Sequence, residues 1–338
     1  MIDLLVVGGG PAGLATALRG ARDGLEVAVV ERRRGPIDKA CGEGLMPHSL
    51  RQLERLGVTA EGKQVNGISY IDHARRVDAP FTCGAGRGVR RTALHGALHA
   101  AATSAGVTMV HGEVGEIHQD ATGVSTTLMR ARYLAAADGL HSPIRRSLGL
   151  EQAASGVRRW GIRRHVQMAP WSDYVEVHWA LGTEAYVTPV ADDCVGIVML
   201  TSRRGRFDEH LDEFPTLRER IDGHPHGQDR AAGPLRQRVS NRSAGRVLLV
   251  GDAAGYVDAL TGEGLGLAFG AAELAVDCVV NDCPGDYDRR WRHMTRRYRA
   301  LTAGLLQASA HARVRAGIVP AAQALPSVFG RMVNLLAA

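Results

Sequence analysis

The chain has 338 residues, 45% apolar and 22% charged, which describes a folded protein with a sizeable core and excludes a disordered one. Lys plus Arg exceed Asp plus Glu by six, yet the arginines are scattered and aromatics are only 5%, so the basic, aromatic-studded stripe of a nucleic-acid binder is missing. No uncharged apolar run reaches ~18 residues, so no transmembrane helix is expected; Glu273 and Asp277 interrupt the nearest approach, residues 264–280.

Residues 2–7 are an almost wholly apolar run, as a buried parallel strand requires. Gly8-Gly9-Gly10-Pro11-Ala12-Gly13 follows, then a helical pattern over 14–22 with Leu14, Ala17, Leu18 and Ala21 on one face. Residues 26–30 read as a second strand ending at Glu31. Strand, G-x-G-x-x-G, helix, strand and acid together form the dinucleotide fingerprint in its required context. Gly8 permits the tight turn, Gly10 lets a pyrophosphate approach the backbone, and Gly13 lets helix and strand pack closely. The free N–H groups at the helix start favour phosphate. Glu31 is placed to accept from a ribose 2′-hydroxyl and would repel a 2′-phosphate. The fingerprint alone does not separate NAD from FAD.

Ala40-Cys41-Gly42-Glu43-Gly44 comes next, with Pro47 opening a helix to about residue 56. Glycines on both sides of a carboxylate describe backbone passing close to a ligand. Cys41 could donate a proton, pack against a ligand ring, or be a small buried hydrophobe. Glu43 could be a general acid if buried, or a solvated loop carboxylate. Strands are expected near 67–71 and 76–82, and a helix opens at Arg91. An apolar strand then delivers Asp138-Gly139, with Ser142 at a helix N-cap and Pro143 in the first turn.

Four strands are expected at 160–168, 173–180, 184–190 and 194–200. Tyr174, His178, Trp179, Tyr186 and Pro189 on them are the candidate pocket side chains, in an apolar pocket that suits an apolar substrate. Phe207–Ile221 reads as an exposed helix. His224-Pro225-His226 lacks further ligands for a metal, and none is expected. A last buried strand runs into Gly251-Asp252-Ala253-Ala254. After it, Gly262 and Gly264 are expected to aim backbone N–H groups and the start of a helix reaching about Val280 at a cofactor. Residues 287–338 read as helical, broken at Pro320 and Pro326. They form either a plain cover or a surface that touches a membrane or a partner. Five cysteines at irregular spacing make no C-x-x-C pair, and no charged leader precedes the first strand; the expected setting is the cytoplasm.

The G-x-G-x-x-G, the D-G-x-x-S-x-x-R at 138–145 and the G-D-A-A at 251–254 together resemble the three signatures of FAD-dependent oxidoreductases of the geranylgeranyl reductase and aromatic hydroxylase superfamily. The resemblance spans roughly 1–280. It implies that FAD is held by Gly8, Gly10, Pro11, Ala12, Gly13, Glu31, Arg32, Arg91, Asp138, Gly139, Gly251, Asp252, Gly262, Gly264 and Leu265. Asp252 would hold the ribityl chain. Thr261-Gly262-Glu263-Gly264 and Cys41-Gly42-Glu43-Gly44 are similar to the geranylgeranyl reductase branch, although Ala259 stands where most of that branch has Pro. The W-x-W-x-I-P signature of flavin halogenases is missing.

The fold expected is therefore α/β. A Rossmann-like FAD-binding lobe (1–66, 88–150 and 240–285) is interleaved with a mixed or antiparallel β-sheet substrate lobe (67–87 and 151–239), and C-terminal helices follow (286–338). The function expected is an FAD-dependent oxidoreductase with NAD(P)H as a transient donor. The compact sheet leans toward a monooxygenase that uses O2 on a small apolar or aromatic metabolite. The alternatives are a reductase of isoprenoid double bonds and a non-catalytic dinucleotide-binding module.

Overall fold

A computed structural model describes residues 1–338. Ile2–Val7 pairs in parallel with Val27–Glu31 on one side and Arg130–Ala136 on the other. Thr108–His111 extends the sheet in parallel beyond Val27–Glu31, and Val247–Leu249 beyond Arg130–Ala136. Leu4, Leu5, Val6 and Leu134 are wholly buried because helices cover both faces, which is why these strands are continuous apolar runs. The helices Pro11–Arg22 and Gly264–Val280 pack on each other and share this core with Arg91–Ser104. All four central strands end at one edge, so Gly8, Glu31, the 137–139 turn and Gly251-Asp252 emerge side by side. Open α/β sheets bind ligands at that edge.

A second, seven-stranded sheet runs in the order Arg230–Ala232, Trp160–Gln167, Cys194–Thr201, Thr183–Ala191, Tyr174–Trp179, Gly67–Ile71, Arg76–Pro80. It is antiparallel except where Tyr174–Trp179 meets Gly67–Ile71. Side chains alternate between its faces. Val198 and Leu200 face inward toward the first sheet's ligand edge, whereas Val195, Ile197 and Met199 pack on the outer layer.

That outer layer departs from expectation. Residues 207–221 form two short helices, Phe207–Leu211 and Pro215–Ile221, because Pro215 starts the second. They are not merely exposed: Phe207, Leu211, Phe214, Leu217 and Ile221 are buried against the sheet. The C-terminal region is helical, but Pro320 does not break it. It sits in the first turn of Ile318–Ala324, where no helical N–H is needed. Pro326 does open a new helix, Pro326–Ala337. Val319, Ala322, Phe329 and Val333 close the other end of the second sheet against Tyr70 and Trp179. No helix is long and apolar enough to cross a membrane.

Candidate flavin site

One continuous cavity of about 1130 Å³ lies between the two sheets. Pockets for one small molecule run to roughly 1,000 Å³, so the space suits a large cofactor with a second ligand beside it. At one end it is lined by Gly8, Gly10, Pro11, Ala12, Glu31, Arg32, Arg91, Asp138, Gly139, Gly251 and Asp252. Gly262, Gly264, Leu265, Cys41 and Glu43 line its middle.

The glycines have separable duties. A Cβ on Gly13 would lie 1.9 Å from the Gly8 carbonyl oxygen, so this glycine serves helix–strand packing and does not reach the cavity. A Cβ on Gly8, at φ +107°, would lie 2.4 Å from the Ala137 carbonyl oxygen. A Cβ on Gly10 would meet nothing closer than Arg91 Nη2 at 3.9 Å. Protein does not fill the space in front of Gly10; a ligand can. Glu31 Oε2 accepts from the Gly9 N–H at 2.8 Å and Oε1 from the Arg33 N–H at 2.9 Å, which orients the carboxylate over the loop. His95 Nε2 bonds the Gly9 carbonyl at 3.0 Å and steadies the turn from below.

Charge is concentrated where a cofactor's middle would lie. Burial raises the Asp252 carboxyl above its ordinary value, and Arg91, Lys39 and Arg145 offset this. Burial also raises Asp138, against the stabilising Ser142 hydroxyl and Ile144 N–H. Asp138 Oδ1 and Arg91 Nε are buried without a partner. Orphaned polar groups beside an open cradle are what an absent polar ligand leaves behind. The residues present therefore fit FAD. Lys39 was not anticipated: burial, then Arg33 and Arg91, hold its ammonium below the usual lysine value, with Asp252 and Glu31 opposing. Only its place two residues before Cys41 hinted at it. Arg32 stands at the cavity rim, where it pairs with Glu113 at 3.3 Å while both remain largely exposed.

The 41–44 loop is held by carboxylate chemistry. Glu43 is 2% exposed and sits at φ 59°, a left-handed conformation that costs a side-chain-bearing residue about 1 kcal/mol or more. Its Oε1 accepts from the Arg91 N–H at 2.8 Å, and its Oε2 lies 2.6 Å from His165 Nε2. Arg163 Nη1 lies 2.7 Å from His165 Nδ1. A guanidinium only donates, so Nδ1 accepts and the ring proton sits on Nε2, donated to Glu43. Arg163 in turn pairs with Asp38. Glu43 is thus a buried, doubly engaged carboxylate and not a solvated one. Half-buried Cys41 lines the cavity, and its Sγ accepts from the Glu43 N–H at 3.4 Å.

Beyond the loop the cavity continues as an apolar arm along the inner face of the second sheet. Ile68, Val177, Leu260, Leu301, Leu305 and Met332 line it, with the Tyr70 and Tyr186 rings. Tyr186 donates its hydroxyl proton to the Leu260 carbonyl at 2.8 Å. Of the five side chains singled out on this sheet, only Tyr186 faces the cavity. Tyr174 and His178 point to the opposite face from Val175 and Val177, and His178 bonds Glu176 at 3.1 Å. Trp179 shares the inner face but packs edge-on to Tyr70 (5.3 Å), past the cavity's end. Pro189 lies against Gly88, where its carbonyl would meet an added Cβ at 1.8 Å. Period-two alternation would have selected Val175 and Val177; the aromatics stand out by type, not by face.

Fold and cavity together define a two-lobed α/β flavoprotein with the cofactor cradle at its sheet edge. The model of the FAD binding domain family matches residues 1–275, and the chain belongs to that family and is an FAD-dependent oxidoreductase. It is similar to the menaquinone reductase of Mycobacterium tuberculosis, 29% identical over 310 residues, 82% of this chain and 76% of that protein. It also resembles digeranylgeranylglycerophospholipid reductase 2 of Methanopyrus kandleri, 25% identical over 83% of this chain and 78% of that one. Among solved structures, a flavoprotein/dehydrogenase from Cytophaga hutchinsonii superposes with TM-score 0.80 at 19% identity, covering 98% of this chain and 96% of that one. A flavin-dependent halogenase superposes at 0.77 and 19% identity over 86% of this chain, which spans only 62% of the halogenase. The two structural likenesses concern the fold.

Proposed function

We propose that this oxidoreductase reduces a double bond in a long isoprenoid-type chain, with NAD(P)H as the donor of electrons. The observation that carries the reading is the apolar arm, which is continuous with the cofactor cradle and walled by the C-terminal helices Tyr287–Ser309 and Pro326–Ala337. A long flexible hydrocarbon gains about 25 cal/mol for each Å² it buries there. A small aromatic ring would leave most of the arm unfilled. The relatives named for menaquinone and for a digeranylgeranyl phospholipid point the same way. Leu325, Val328 and Leu335 are exposed on or beside the last helix, which suits uptake of such a chain from a lipid surface. All five cysteines are free thiols, which supports a reducing cytoplasmic setting.

When bound, FAD supplies hydride chemistry. The chain's own residues do the rest. Gly8, Gly10, Pro11 and Ala12 would cradle the pyrophosphate, Glu31 would take the ribose, and Asp252 with Lys39 and Arg91 would hold the polar middle, with Asp138 and Gly139 beside it. Gly262, Gly264 and Leu265 would present backbone and a helix start to the ring edge. Cys41 holds the proton that the second carbon of the reduced bond takes up. Glu43, both of whose oxygens are engaged, positions the loop that carries Cys41.

The test is product mass. The FAD-loaded protein is incubated anaerobically with NADH or NADPH and a prenylated substrate, and in parallel under ¹⁸O2 with small aromatic substrates. A gain of two hydrogens in the prenyl chain is the expected result. Label incorporated into an aromatic product, without prenyl reduction, would establish the monooxygenase reading instead. A yellow protein that consumes neither nucleotide with any substrate would be a non-catalytic binding module.

A further inference from the structure

A second crevice, of about 310 Å³, lies on the far side of Tyr256 from the flavin cavity; Tyr256 lines both. Arg242, Trp291, Thr295 and Tyr298 are buried at its floor. Arg238, Arg292 and Arg299 stand exposed at its rim. Its lining therefore holds four arginines and no carboxylate. Asp288, which does not line the crevice, is already engaged by the Arg242 N–H and Nη1, each at 3.1 Å, and by Arg292 Nε at 2.6 Å. Arg242 Nε donates to the Ala254 carbonyl at 3.1 Å, and its Nη2 meets no protein acceptor. The guanidinia of Arg242 and Arg299 lie over the Trp291 ring at 4.3 and 5.4 Å.

Such crowding has a cost. Although Arg299 is exposed as a whole residue, partial burial of its guanidinium over Trp291, then Arg292 and Arg236, hold it below the usual arginine value, with Asp288 opposing. Burial, and also Arg299 and Arg292, do the same to Arg242 against Asp288. Like charges around a concavity whose own lining holds no carboxylate are relieved by an anion, and guanidinium forks match phosphate oxygens best. The motifs of the flavin site do not use this crevice, and FAD cannot account for it, because Tyr256 stands between them.

We propose that the crevice is a binding site for a phosphate-bearing anion. Its volume is at the low end for small-ligand pockets, roughly 300–1,000 Å³, so it suits a phosphate or diphosphate group with a short attachment and not a whole dinucleotide. Two ligands offer that chemistry to an oxidoreductase of this kind: the 2′-phosphate of a reduced nucleotide donor and the headgroup of a prenyl diphosphate. The site itself does not depend on the isoprenoid reading, since it rests on the arginines alone.

Calorimetric titration of the FAD-loaded protein with inorganic pyrophosphate at low salt tests it. Saturable binding at one site per chain is expected, weakened about tenfold or more in the Arg238→Gln/Arg299→Gln double variant and weakened likewise by added salt. The variant's visible flavin absorbance and thermal midpoint serve as the folding control, because neither side chain lines the flavin cavity. Absence of saturable heat up to about 10 mM, or equal affinity in the double variant, would overturn the proposal. Competition by adenosine 2′,5′-bisphosphate or by geranyl diphosphate then assigns the bound phosphate to donor or substrate.

Discussion

Glu43 Oε2 meets His165 Nε2 at 2.6 Å although 122 positions separate the two residues. This contact fastens the 41–44 loop to the second sheet at the cavity wall, while the carboxylate's other oxygen accepts from the Arg91 N–H at the start of the helix Arg91–Ser104.

Breaking that contact tests it. Glu43→Ala leaves the Arg91 N–H and the His165 Nε2–H unpaired in a buried place, at a cost of about 1–3 kcal/mol for each orphaned group. Glu43→Gly loses the same bonds but suits the φ of 59°. Urea unfolding is expected to find the Gly variant about 1 kcal/mol more stable than the Ala variant. Equal stabilities would mean that the loop relaxes out of the left-handed conformation.

The fingerprint glycines separate packing from binding. Gly13→Ala drives a methyl into the Gly8 carbonyl and is expected to destabilise the apoprotein by several kcal/mol. Gly10→Ala has room in the protein, so apoprotein stability should stay within about 0.5 kcal/mol. Its FAD affinity should nevertheless fall, read by flavin fluorescence on titration. Undiminished affinity in Gly10→Ala would remove that glycine from the cofactor site.

Glu263 predicts a pH dependence. Its carboxyl is buried in the wall behind the Thr261–Gly264 loop, and one oxygen has no partner. Burial raises it above its ordinary value of 4.5, although His48, 3.0 Å away, pulls the other way. A raised folded-state value means that the folded protein keeps this proton when the unfolded chain has lost it. The contribution is full below the unfolded value and is lost as pH rises through the folded one. Glu263→Gln abolishes the titration, so its stability relative to the parent should increase as pH rises from about 4 to about 8. A difference that is flat, or that shrinks with pH, would show that the His48 pair outweighs burial.

Leu305 lines the apolar arm from the C-terminal helices and is half-buried. Leu305→Trp narrows the arm and is expected to raise KM for long prenyl substrates about tenfold while leaving short ones within about twofold, since one or two methylenes account for such factors. Overpacking carries a stability cost of about 1–3 kcal/mol, so the thermal midpoint must be followed alongside. Equal effects on both lengths would place the substrate elsewhere.

The Rossmann half was legible in four of its five parallel strands, all but Thr108–His111. Its strands are short apolar runs, its turn needs glycine for reasons of backbone geometry alone, and its acid falls at a fixed distance along the chain. Six strands of the second sheet were legible for the same reason, since alternation and β-branching are local properties; its edge strand Arg230–Ala232, three residues with no apolar run, was not. Arg145 marks the limit. It belongs to the motif at 138–145, yet in the fold it is wholly buried and donates to the Ala253 and Leu140 carbonyls at 3.3 and 3.0 Å, clamping the two late motifs together. Nothing in its spacing distinguishes a clamp from a ligand contact.

By itself, then, the amino-acid order determined the presence of a dinucleotide cradle and the elements that build it, because turn chemistry and hydrophobic period act over a few residues. Tertiary structure alone decided which face of the second sheet looks at the cofactor, which aromatics are merely core, that Lys39 and His165 approach the site, and that Arg238, Arg242, Arg292 and Arg299 surround one crevice. Those facts depend on the packing of segments far apart along the chain, and no local rule of spacing encodes them.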